Sequence, residues 1–216
     1  MTKEKELAGL QRLIQVCRQH DLPVETLPST GTVPALGELF LGQAFDPILA
    51  RVYATVSGAL LGDFELFPFR EDQNLLLSLN ERMRWGEEEA PYMLSLLFGK
   101  VPWLAYYFAT VPSLADAQGI QPVIFIDVYE GNQVLPVGSN VDEFFMTFSM
   151  YLEQLVVTPD YMAERHVSLH FPTSVPELIA RDISLVEAVS AGRFGSLMSN
   201  DAESLEWVSK VIAASR

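Results

Sequence analysis

The sequence predicts an α+β domain: a mainly antiparallel sheet with helices packed on it, plus a helical extension at the C-terminus. Two patterns carry that class. Pro122-Val-Ile-Phe-Ile-Asp-Val-Tyr129 is the most apolar run in the chain, rich in β-branched and aromatic residues, and the tight-turn sequence Glu130-Gly-Asn joins it to a second such run, Gln133-Val-Leu-Pro-Val137. Around these runs apolar residues recur at helical spacing instead, above all in residues 46–57 and 141–156. With 216 residues and 49% apolar composition, the chain can bury a substantial core without covalent staples.

Taken in order, Leu7, Leu10, Ile14 and Cys17, widened by Leu13 and Val16, form a stripe that predicts an amphipathic helix from about Lys3 to His20. Residues 22–34 are rich in Pro, Thr and Gly and read as an irregular linker. The next helix has the fullest end signals. Asp46 is placed to cap it, Pro47 suits its first turn, Ile48, Val52, Tyr53 and Val56 form its stripe, and Gly58 stands where a left-handed residue would close it. Leu60 to Phe69 reads as an extended edge or hairpin arm, and Asp72 opens a helix lined by Leu75, Leu76, Leu79 and Met83. Residues 103–109 favour a strand that joins the two later runs in a meander. Asn140 and Glu143 have the spacing of a capping box, and Phe144, Phe145, Phe148, Leu152, Leu155 and Val156 give the following helix an apolar face for the sheet.

After Thr158-Pro159 the pattern changes. A loop-rich stretch leads to short helices around Pro176 to Arg193 and Ala202 to Ala214, with Gly192 and Gly195 breaking between them. The organisation expected is therefore a domain of residues 1–157 with its N-terminal helix, and a helical extension, 158–216, that packs on the core without completing the sheet.

Composition narrows the function. The net charge is −14, and between Val101 and Glu164 there is no lysine or arginine but eight carboxylates, Asp116, Glu130 and Asp142 among them. That stretch is either a face for a basic partner or a gap of the kind an acidic chain leaves. The charge repels phosphate backbones, and the ten arginines and four lysines form no stripe, so nucleic acid is not expected to bind directly. No apolar run is long enough for a bilayer span. The single cysteine, Cys17, falls on an apolar stripe and is expected to be a buried thiol of a cytoplasmic protein.

No catalytic constellation emerges. His166 and His170 have the spacing of a helical metal pair, but Val167, Leu169 and Phe171 alternate with them and no third ligand accompanies them, so structural or surface roles are favoured. Asp127 interrupts an apolar strand, either as a buried base or as a solvent-side or strand-end residue. Nucleophile elbow, phosphate loop and dinucleotide fingerprint are absent, so no enzyme, cofactor or metal site is expected. Glu87-Glu88-Glu89 beside Trp85 and Tyr92 is either a recognition patch, an aromatic anchor within an acidic rim, or a solvated loop.

Four segments in order carry a family resemblance: residues 45–58 from Phe-Asp-Pro to Val-Ser-Gly, Gly62-Asp-Phe-Glu-Leu-Phe67, Gln121-Pro-Val-Ile-Phe-Ile-Asp127, and Ser139-Asn-Val-Asp-Glu-Phe-Phe145. Together they resemble the SMI1/KNR4 (SUKH) superfamily over about residues 36–157. Tyr53, Ser57-Gly58 and Asp142-Glu143-Phe144 occupy the family's helix, turn and acidic-Phe positions, although Ser57 replaces the usual Asn and Ala115-Asp-Ala-Gln-Gly119 replaces a Gly-Asp turn. The resemblance implies a non-enzymatic binding module. Bacterial members are mainly immunity proteins that neutralise polymorphic toxins, often nucleases, and fungal relatives regulate cell-wall synthesis through protein contacts. An immunity protein that inhibits a basic toxin domain is therefore the leading expectation, and a regulatory or scaffold module with a cellular partner the alternative. The family's partner surface varies, so the interface residues expected here rest on charge and exposure: Asp63, Glu65, Glu87, Glu88, Glu89, Asp116, Glu130 and Asp142, with Trp85 as an anchor.

Overall fold

The computed structural model describes residues 7–31, 38–86, 90–199 and 201–216. Along the chain come α1 (Ala8–Gln19), β1 (Val24–Pro28), a ribbon of β2 (Leu39–Phe40) and β3 (Gln43–Ala44), and α2 (Pro47–Thr55), which runs straight into β4 (Val56–Leu61). Next are β5 (Phe64–Leu66), α3 (Leu75–Gly86), α4 (Ala90–Leu94), β6 (Leu96–Lys100), β7 (Tyr106–Thr110), β8 (Val123–Asp127) and β9 (Gln133–Gly138). Helix α5 (Val141–Leu155) follows, and α6 (Pro159–Glu164), α7 (Pro176–Ile179), α8 (Ile183–Ser190) and α9 (Ala202–Ala214) finish the fold. The main sheet is antiparallel throughout, in the order β1-β4-β5-β6-β7-β8-β9. The α+β class, the antiparallel sheet and the helical C-terminal region are as the sequence predicts.

Burial on both faces explains the sequence of β8. Val123 to Ile126 are at most 2% exposed, so alternation gives way to a continuous apolar run. Asp127 ends that strand, its carboxylate accepting from the Tyr129 and Glu130 N–H groups at 2.9 and 3.2 Å. Under α5 the core is phenylalanine: the Phe64 ring lies 5.4–6.1 Å from those of Phe98, Phe108, Phe144, Phe145 and Phe148. On the other side of the sheet α3 is pinned to β6 by Asn80, which donates to the Leu97 carbonyl and accepts from its N–H, both at 2.8 Å.

Several local expectations change. The 22–34 stretch contains β1, an edge strand in which Pro28 is tolerated because it stands at the strand end. Gly58 is not a helix terminator. It lies within β4, where a Cβ would come 3.1 Å from Pro68 Cα and 3.2 Å from Leu27 Cδ1, so close approach accounts for the glycine. The hairpin expected over Leu60 to Phe69 exists but is interior to the sheet. Asn74 caps α3 by accepting from Leu77 N–H at 2.9 Å, while Asp72 is held by Arg70. Residues 103–105 form a turn before β7, and β6 and α6, both unassigned from the sequence, are regular elements.

Asp142 is a correction of another kind. Its carboxylate accepts from the Gly9 and Leu10 N–H groups at 3.0 and 3.3 Å, so a residue of α5 caps the start of α1. Arg12 of α1 reaches Glu153 at 2.6 Å lower on the same contact. After Gly138 no described residue joins the sheet, yet Phe171, Val175, Leu178 and Ile179 lie in the same hydrophobic core as α5, and Asp182 accepts from Ser139 N–H at 2.6 Å while capping α8.

Two predictions follow from these contacts. A Cβ on Gly9 would stand 1.9 Å from the Asp142 carbonyl oxygen, so Gly9→Ala must push α1 off α5; urea unfolding should show a loss of about 1–3 kcal/mol. Asp46 is fully buried, with one carboxylate oxygen accepting from Leu49 N–H at 2.7 Å and the other from Gln121 N–H at 2.8 Å. Burial outweighs those N–H groups and pushes its pKa up from 3.8 to about 6. The folded value exceeds the unfolded one, so protonation favours the fold: the contribution is full below about pH 4 and lost as pH rises to about 6. Unfolding across that window should show the wild type losing about 3 kcal/mol relative to Asp46→Asn.

Candidate functional site

Glu25, Leu60, Glu65 and Lys100 are successive partners across β1, β4, β5 and β6, and therefore stand in one row on one face of the sheet. A groove of about 710 Å³ opens along this row, with Leu27, Leu60, Pro68 and Pro102 lining it between Glu25, Glu65, Lys100 and Trp103. Lys100 approaches Glu65 at 3.5 Å; among the described residues no cation pairs with Glu25. The groove is consequently both apolar and acidic.

Trp103 is its most unusual residue. Val101-Pro-Trp-Leu104 is a turn closed by donation from Leu104 N–H to the Val101 carbonyl at 3.3 Å, with proline at its second position. At the third position Trp103 has φ 64°, the left-handed conformation that such turns usually assign to glycine or asparagine. The side chain is 97% exposed. Neither strain nor an indole in water favours folding, so the position asks for a reason outside stability.

Behind the same turn lies a second cavity, about 230 Å³, and Pro102 lines both. Asp63, Tyr106, Phe148, Tyr151, His170 and Phe171 surround it. Asp63 is presented by the two-residue β4–β5 turn, where Gly62 takes φ 58° and packs so closely that a Cβ would meet Leu152 Cδ1 at 2.8 Å. Burial raises the Asp63 pKa. Burial first, then the Asp63 charge, pushes the Cys17 thiol up to about 12 and raises the Tyr151 phenol, so Cys17 is a buried, unreactive thiol.

Of the residues expected at an interface, Asp63 and Glu65 flank this turn from opposite sides. Trp85 is 88% exposed at the end of α3, and Glu130 is exposed in the β8–β9 turn. Glu87, Glu88 and Glu89 lie outside the described residues. Asp116 is exposed, but one of its oxygens accepts from the Gln118 and Ile120 N–H groups of its own loop at 2.8 and 2.9 Å. Asp142 caps α1. Within the cation-free stretch Asp116, Asp127, Asp142 and Glu153 are each engaged by a different local structure. Glu25, Lys100 and Trp103 carry no local site pattern in the sequence, although proline before an aromatic between two apolar runs is a usable turn signal.

His166 and His170 are both exposed, and no described group of three His, Cys, Asp or Glu residues could hold a metal ion. No helix among the described residues is long and apolar enough to cross a membrane. Comparison of the chain with family models, curated proteins and solved structures gives no match.

The strain at Trp103 is measurable. Relief of about 1–2 kcal/mol of left-handed strain exceeds the roughly 0.5–1 kcal/mol that glycine's freedom costs the fold. Trp103→Gly should therefore raise the unfolding free energy by about 0.5–1 kcal/mol in urea titrations, whereas most exposed-to-glycine changes lower it.

Proposed function

We propose that this chain is a non-enzymatic protein-binding module that captures a basic protein domain in the groove over β1, β4 and β5. The observation that carries the reading is Trp103, exposed and held in a strained turn at the groove that Glu25 also lines, with no cation on Glu25 among the described residues. An aromatic anchor beside uncompensated carboxylates suits a partner that brings an apolar surface and Lys or Arg side chains. Glu65 supports this charge only in part, because Lys100 shares it. Trp85 and Glu130, exposed elsewhere, are secondary contacts in this reading.

The resemblance to SMI1/KNR4 immunity proteins supports a more specific version, in which the partner is a toxin domain, a nuclease by class, blocked in the cytoplasm. The overall charge of −14 favours such a pairing, since domains that grip nucleic acid are basic and an acidic inhibitor is drawn to them over long range. The regulatory alternative shares the groove and differs in the partner.

Binding of any toxin candidate found encoded beside this gene, followed by surface plasmon resonance over a range of salt, tests the proposal. Trp103→Ala should weaken affinity by about ten-fold or more, mainly through faster dissociation. Glu25→Lys with Glu65→Lys should slow association at low salt and flatten its salt dependence. Unchanged kinetics in both variants, with undiminished protection of cells, would sink the groove as the interface. Selective capture of a cellular protein without a toxin would turn the conclusion to the regulatory alternative.

A further inference from the structure

The cavity behind the Val101–Leu104 turn has a chemistry the groove lacks. Four phenyl or phenol rings line it, those of Tyr106, Phe148, Tyr151 and Phe171, with the His170 imidazole also in the wall. Phe148 and Tyr151 each pack on Phe171, with ring centroids 5.1 and 5.5 Å apart. Tyr151 donates its hydroxyl to the Leu169 carbonyl at 3.0 Å, which locks that ring and spends its polar end. The rings are therefore preformed; Phe148, Tyr151 and Phe171 are at most 7% exposed, and where a ring face borders the cavity it offers a cation the negative potential of the π-system.

Among the described lining residues Asp63 is the only carboxylate. It is half-buried, and among the described residues nothing donates a hydrogen bond to its carboxylate and no cation pairs with it. An unpaired carboxylate withdrawn from water is unfavourable, and its raised pKa reflects that burial. A positive charge in the cavity would relieve the penalty. Divalent metal ions fit poorly, because hard cations take several oxygen ligands and this wall is mostly hydrocarbon. An organic cation fits both parts of the lining, since its charge satisfies the carboxylate and its alkyl surface lies against ring faces. The volume, about 230 Å³, is below the roughly 300–1,000 Å³ of sites for drug-sized ligands, which confines the occupant to a small group.

We propose that this cavity binds a small organic cation, an alkylammonium or guanidinium group, with Asp63 as the counter-ion and Tyr106, Phe148, Tyr151 and Phe171 as an aromatic cage. The cation is supplied either by a free small molecule or by a Lys or Arg side chain of a protein. The proposal does not rest on the groove: small probes enter the cavity with no protein partner present.

Calorimetry and methyl-resolved NMR on the full chain test it with choline, Nα-acetyl-lysine methylamide and Nα-acetyl-arginine methylamide, against 3,3-dimethylbutanol as the uncharged isostere of choline. At least one cation should bind saturably at millimolar concentration, shifting the Leu104 and Val167 methyls, while the neutral isostere does not. Asp63→Asn should weaken that cation by about ten-fold or more without lowering the unfolding midpoint. Tighter binding of choline assigns the site to a free ammonium compound, and tighter binding of an amino-acid probe assigns it to a side chain. Equal binding of choline and its neutral isostere, no saturable binding of any cation, or undiminished binding by Asp63→Asn would overturn the proposal. If Asp63→Asn fails to fold, the comparison of choline with the isostere on the wild type decides alone.

Discussion

Burial of Phe64 between the sheet and α5 is the constraint on which the rest of the structure depends. Five phenylalanine rings surround it, contributed by β6, β7 and α5. Space for it is made on the neighbouring strand: a Cβ on Gly99 would come within 2.6 Å of the Phe64 ring. Alternation then leaves no freedom to the flanking residues. With Phe64 directed toward α5, Glu65 must face the opposite side of the sheet, and Asp63 is left at the turn. A slip of one residue would drive Glu65 into the aromatic core, so a single buried ring fixes the register that places both acids.

The same contact organises the helices. Because α5 lies on the Phe64 face, its first turn can meet α1, where glycine lets the Asp142 carbonyl approach and the Asp142 side chain satisfies two N–H groups that α1 cannot satisfy itself. The α1–α5 contact in turn covers Cys17 and closes one side of the Asp63 turn. Core packing and the cavity around Asp63 are thus parts of one arrangement. Its aromatic wall is the outer margin of the phenylalanine core, with Phe171 from the C-terminal region in contact with Phe108, Phe144 and Phe148.

Trp103 is one of five described non-glycine residues with a left-handed backbone, and it stands outside this core. The turn that carries Trp103 is braced at its far end, where Ala105 N–H donates to the Tyr129 hydroxyl at 3.2 Å and the Tyr129 ring meets Tyr106 edge to face at 5.4 Å. The fold thus presents an aromatic side chain and two acidic residues on two adjacent hairpins at one end of the sheet, between a groove on one side and a cavity on the other.

The sequence by itself determined the elements whose signals are local. Asp46-Pro47, Asn140 and the stripe of α5 specify helix starts and faces through hydrogen bonds and contacts within a few residues, and Glu130-Gly-Asn specifies a hairpin in the same way. Net charge, −14, was legible for the equally simple reason that it sums over residues regardless of their positions. Tertiary structure alone decided what each acid is for. Asp142, Glu65 and Asp63 have the same chemistry in the sequence, yet one caps a helix 132 residues away in sequence, one shares a cross-strand pair with Lys100, and one is stranded among aromatic rings. Those outcomes depend on which distant N–H, cation or ring arrives beside the carboxylate, and no local pattern encodes the arrival. Gly58 and Trp103 make the same point for the backbone: the glycine is required by Pro68, which follows β5, and the turn that carries the tryptophan is bonded at its end to a tyrosine between β8 and β9.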